Sequence, residues 1–106
     1  MYIVTCHSYP SDKAMEVAKT YLEELKQSPW DKTLGTEVIQ GAVKTTECGI
    51  KVIRIVEAKK GKVEQAIERI VNQNTLYLGI VGFEYSSDIY YSIAEAFASV
   101  GMSLPK

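Results

Sequence analysis

The chain predicts an α+β domain built on one open, four-stranded antiparallel sheet. Three observations carry this. Four strand-like runs are apolar on both of their alternating phases. Only two helical segments separate them, with a third following the last. Two of the runs meet at Cys48-Gly49, where the glycine supplies the positive φ of a tight hairpin turn.

The first strand is predicted over residues 2–9, with Tyr2, Val4 and Cys6 on one phase and Ile3, Thr5, His7 and Tyr9 on the other. Pro10 ends it, Ser11 is a good helix cap, and Asp12 suits the positive end of the helix that follows. From Asp12 to Gln27 the apolar stripe is Ala14, Val17, Ala18, Tyr21, Leu22 and Leu25, with Glu16, Lys19, Glu23 and Lys26 away from it. Ser28-Pro29 stops this helix, because a residue before proline avoids the α region. Trp30 to Gly35 reads as a polar loop carrying the one tryptophan.

Thr36 to Glu47 and Ile50 to Glu57 form the hairpin. The second helix opens at Lys59-Lys60-Gly61, carries the stripe Val63, Ala66, Ile67, Ile70 and Val71, and is closed by Asn72-Gln73-Asn74. The fourth strand is predicted over Leu76 to Ser86, with Gly79 and Gly82 marking a bulge or a close backbone approach. Ser87 then caps a third helix whose apolar face is Ile89, Ile93, Phe97 and Val100, ended by Gly101.

At 106 residues, 46% hydrophobic and 24% charged, the whole chain (1–106) reads as a single domain. A net charge of −1 gives no electrostatic case for nucleic acid or an anionic membrane. No run approaches the ~18 apolar residues of a membrane span, and the start of the chain has no basic signal-like region, so a soluble cytoplasmic protein is expected. Cys6 and Cys48 form no CxxC pair and no zinc pattern with His7, the sole histidine; a reduced pair is expected. No metal or cofactor is implied.

Strand, helix, strand, strand, helix, strand is the split βαβ order of the ferredoxin-like plait, here with a C-terminal helix added. Right-handed crossovers put both main helices on one sheet face and leave the other bare. Here the bare face is apolar, beyond the patch a monomer usually exposes. At ~25 cal/mol per Å², burying a few hundred Å² of it favours association by several kcal/mol before entropic costs. Either the third helix or a second copy must cover it.

Over residues 2–100 this order and two-faced sheet resemble the dimeric α/β-barrel superfamily, in which two ferredoxin-like subunits pack sheet to sheet. The resemblance implies a homodimer. The superfamily includes cofactor-free monooxygenases of aromatic polyketides, heme-degrading enzymes, dehydratases, small lyase-like enzymes with a first-strand histidine, and ligand-sensing domains. Fold alone does not choose among them.

Two residues are candidates for chemistry. His7 resembles the first-strand histidine of the lyase-like members and would act as a general base opening onto a cavity; the alternative is a hydrogen-bonded polar residue at a strand end. Arg54 interrupts an apolar phase between Val52 and Val56. It would hold a carboxylate or enolate, or else pair with Glu37, Glu47 or Glu84 on a neighbouring strand. Tyr9, Tyr77, Phe83 and Tyr85, with Tyr2, either line a pocket for a flat apolar ligand or fill core and interface. Trp30 reads as a lid over the cavity mouth or an interface anchor, and the lysines at 59, 60 and 62 as an anion site or a solvated loop.

The expected function follows from these readings. It is a homodimeric small-molecule-binding protein, or a cofactor-free enzyme, with a small apolar or aromatic acid held between sheet and partner. The alternative is a dimerisation or regulatory module whose interior is filled by side chains. A cavity of about 300 Å³ or more reaching His7 or Arg54 separates the two.

Overall fold

A computed structural model describes residues 1–105. Their element order is β1 (Tyr2–Tyr9), a 3₁₀ turn (Ser11–Lys13), α1 (Ala14–Gln27), β2 (Gly35–Thr46), β3 (Gly49–Ala58), α2 (Val63–Thr75), β4 (Glu84–Tyr90) and α3 (Ile93–Ser99). The strands form one antiparallel sheet in the order β2-β3-β1-β4. This is a small α+β fold compatible with the ferredoxin-like plait.

The two long helices cover one face. Ile3 of β1 and Val56 and Ala58 of β3 close against Ala66 and Ile70 of α2. Tyr9, on the same β1 phase as Ile3, packs with Val17 of α1 and with Tyr77 and Ile80. The register carries that phase across the sheet: Ile3 pairs with Val56 and Ile89, Thr5 with Arg54 and Ser87, His7 with Val52 and Tyr85. The opposite phase carries Tyr2, Val4, Cys6, Ile53 and Ile55, each only half-buried. No residue of α3 is buried, so α3 supplies no second layer there. The chain is accordingly thin, 49 × 32 × 19 Å, and its radius of gyration of 15.6 Å exceeds the roughly 13 Å of a compact domain this size.

Local chemistry accounts for the boundaries. Gly49 takes φ +140° in the β2–β3 turn, and a Cβ there would collide with the Tyr9 carbonyl oxygen. Ser92 and Glu95 form a reciprocal capping box at the start of α3. β2 carries two irregularities against β3, between Glu37 and Ile39 and between Ile39 and Ala42, each inserting one extra residue.

The fourth strand differs from expectation. Residues 76–83 are successive turns, with backbone bonds from Tyr77 to Asn74, Ile80 to Tyr77 and Phe83 to Ile80. Tyr77 and Ile80 bury into the α1 end of the core while Leu78 and Val81 face water, and Gly82 takes φ +84°. An apolar run thus packs by turning, and the strand begins only at Glu84. Ile89, expected on the third helix, lies in β4, and the capping serine is Ser92 rather than Ser87. The first helix also starts later, a 3₁₀ turn taking Ser11–Lys13.

The helix stripes are rotated from those expected. On α1, Leu22 and Leu25 are exposed while Glu24 is buried. On α2, Val71 is exposed while Gln73 and Asn74, expected to close the helix, lie inside it and are buried. Among the described residues no helix is long and apolar enough to cross a membrane. Cys6 and Cys48 are both free.

Candidate functional site

A cavity of about 500 Å³ lies between α1 and the helix-covered face of the sheet. His7 and Tyr9 of β1, Val52 and Arg54 of β3 and Glu37 of β2 form its floor and edge. Val17, Tyr21 and Glu24 of α1 form the roof, with Trp30, Gln73 and Tyr77 closing one side. The two β2 irregularities bend that strand beside the cavity and bring Gln40 and Gly41 to its rim. Bulges are used in this way next to binding sites. The cavity therefore sits within a single chain, under the helices, and not on the open face where a partner would pack.

His7 and Arg54 share that face, as do Tyr9 and Tyr77; all four line the cavity. Phe83 and Tyr85 do not line it. They pack around the imidazole, with ring centroids 5.0 and 6.5 Å away, and Tyr77 stacks on Phe83 at 4.8 Å. Tyr2 lies on the opposite phase of β1.

The His7 Nε2–H donates to Asn74 Oδ1 at 2.9 Å, which leaves Nδ1 as the lone-pair nitrogen. Burial among aromatic rings holds the imidazole below its ordinary pKa of 6.5; the bond to Asn74 opposes this, and the Arg54 charge adds to it. His7 is thus a neutral ring with one basic nitrogen. The Asn74 Nδ2 group is buried without a hydrogen-bond partner among the described residues.

Arg54 is engaged on three sides. One terminal nitrogen donates to Gln73 Oε1 at 2.7 Å, the other lies 3.3 Å from Glu37 Oε2, and the guanidinium carbon sits 5.2 Å from the Trp30 ring centroid. Gln73 in turn donates to the Ser28 carbonyl at 2.8 Å, and Trp30 Nε1 donates to the Gly35 carbonyl at 3.0 Å. The expected anion anchor is therefore an arginine whose charge Glu37 balances, the pairing that a largely buried cation requires.

Glu24 was not singled out from the sequence. It is only 7% exposed, and its Oε1 accepts from the Tyr77 hydroxyl at 2.9 Å. Burial raises its pKa above the ordinary 4.5 and Glu37 adds to this, while the Tyr77 bond and Arg54 oppose it. Burial and the adjacent carboxylate likewise push the Tyr77 hydroxyl up. A signal was present: Glu24 lies seven residues after Val17 and three after Tyr21, on the buried line of α1. Gln73 and Asn74 sit the same way beyond Ala66 and Ile70 on α2.

This arrangement combines an apolar wall, a neutral histidine, a balanced Arg54–Glu37 pair and a buried carboxyl–phenol pair. It can remove or return a proton at Nδ1 of His7 or at Glu24, and it can orient a polar group. Compared with protein-family models, with curated proteins and with solved structures, the chain matches none.

Proposed function

We propose that this chain is a cytoplasmic small-molecule-binding protein or cofactor-free enzyme with a ferredoxin-like plait, and that its ligand is a small, mostly apolar or aromatic molecule held between α1 and the sheet. The observation that carries this is the cavity of about 500 Å³, lined by His7, Arg54 and Glu24 from three separate elements and by Tyr77 from the turns after α2. Its volume falls within the range of ligand pockets. His7 is the base in the enzymatic reading, since it alone presents an unprotonated nitrogen near neutral pH. The strand order β2-β3-β1-β4, with both long helices on one face, supports the plait.

The same reading includes a homodimer through the open sheet face, in the manner of the dimeric α/β-barrel superfamily. Its support is the unroofed phase Val4, Cys6, Ile53 and Ile55, together with the thin two-layer shape. A stable pair needs about 800 Å² per partner. Sedimentation at micromolar concentration should report a dimer, and Ile53→Lys should yield a folded monomer; a native monomer removes this part of the proposal.

The ligand reading is tested by thermal-shift screening with small aromatic and apolar compounds. A true ligand at a hundred times its Kd adds about 2.7 kcal/mol of stability. That gain should fall in Ala18→Phe, which sets a ring at the exposed α1 rim of the cavity. A protein that no compound stabilises is instead a dimerisation module.

A further inference from the structure

We infer that the cavity is built for a protonated amine carried on an apolar or aromatic body, with the free oxygen of Glu24 as its anchor. This rests on the reading of the cavity as a ligand site and specifies the charge of what enters it.

Arg54, the one cation on the wall, is balanced by Glu37 and already donates to Gln73. A carboxylate ligand near Arg54 would meet the Glu37 carboxylate already 3.3 Å from it. Glu24 shows the opposite situation. Its Oε1 is held by Tyr77, but Oε2 has no hydrogen-bond partner among the described residues, although the side chain is almost wholly buried and lines the cavity. That oxygen is accessible from the cavity rather than sealed in packed side chains, so it is an acceptor that an entering donor can reach.

Gln40 uses its amide nitrogen on the Tyr21 hydroxyl at 2.7 Å, which leaves its carbonyl oxygen free at the exposed rim. The net charge of the wall with Glu24 ionised is −1: Arg54 cancels Glu37, and His7 is neutral. A bound cation answers that imbalance, and it makes ionisation of Glu24 favourable where burial alone opposes it. Tyr9, Tyr21 and Tyr77 supply ring surfaces around that position, which suit an ammonium group on an aromatic body.

The experiment uses three probes with closely matched bodies and different heads: phenethylamine, 2-phenylethanol and 3-phenylpropionate. Binding to the whole protein is measured by titration calorimetry at neutral pH. The amine should bind about tenfold or more tighter than either competitor, the size of one charge-assisted hydrogen bond. Glu24→Gln, which keeps a carbonyl for Tyr77, should abolish that preference. Equal or tighter binding of the alcohol or the acid overturns the inference and leaves the ligand cavity standing. Amine binding that survives Glu24→Gln overturns the anchor, and so the inference. Failure of all three probes at millimolar concentration overturns the inference, while the ligand cavity stands or falls by the thermal-shift screen.

Discussion

The two ends of the helix–sheet layer use the same sheet face and reach opposite outcomes. Ile3 and His7 lie four residues apart on one phase of β1, about 13 Å along the strand. Around Ile3, short aliphatic side chains from β3 and α2 interlock, and Val56, Ala66 and Ile70 are at most 1% exposed. Around His7, the facing residues are long and polar, and they bond to one another rather than interlock. Arg54 reaches Gln73 and Glu37, and Glu24 meets Tyr77. A solid core results at one end and an open volume at the other. The difference lies in side-chain chemistry: hydrogen-bonded pairs hold fixed distances, so the space between them does not collapse as an aliphatic core would.

The largest expected effect tests the solid end. Ile70→Ala removes a fully buried side chain whose neighbours are locked by the sheet, and should cost about 3–4 kcal/mol in urea unfolding. Arg54→Met comes next, at about 2–3 kcal/mol. It strips the cation from between Glu37 and Glu24, and the figure is discounted because the two side chains of the ion pair remain 11% and 28% exposed. The double variant Arg54→Met/Glu37→Gln should lose clearly less than the sum of its singles, since it removes the stranded charge. Additive losses would show that the pair does not support the wall.

How much of this was legible follows from the same contrast. The β2–β3 hairpin was readable because a β-branched run, a turn glycine and a second run all agree locally. The split βαβ order could be read for the same reason. Residues 76–83 were misread as strand because an apolar run with no charge in it fits a turn-packed segment equally well. At the site, His7 and Arg54 stood out as isolated polar residues in apolar runs. Glu24, Gln73 and Asn74 did not, because helical polar residues usually face water; only their phase relative to Val17 and Ile70 marks them as internal. The location of the cavity depended on which sheet phase faces the helices, and strands apolar on both phases do not reveal that.

Smaller effects probe the polar end itself. Tyr77→Phe should cost about 1–2 kcal/mol, the loss of one hydrogen bond to a buried carboxyl. The two titrating groups then give opposite slopes. His7 has a folded pKa below 6.5, so the unfolded chain binds more protons between the two values, and stability falls as pH drops through 6.5 toward the folded value. Glu24 has a folded pKa above 4.5, so its stabilising contribution is complete below 4.5 and is lost as pH rises through the folded value. Glu24→Gln should therefore gain stability relative to the native protein as pH increases above 4.5, in parallel urea series. A difference that stays flat with pH would place Glu24 in water.

The smallest stability effect carries the sharpest test of the contrast. Ala18 lies on α1 and lines the cavity. Adding methylenes to a close-packed site costs about 1–3 kcal/mol, because neighbours must leave their rotamers. Ala18 is exposed at the rim of that open volume, so a larger side chain there meets no such resistance. Ala18→Leu should thus change stability by less than about 1 kcal/mol in either direction, whereas Ala66→Leu, in the solid core beside Ile70, should lose several times more. Equal losses at positions 18 and 66 would mean that the polar end packs as tightly as the aliphatic one.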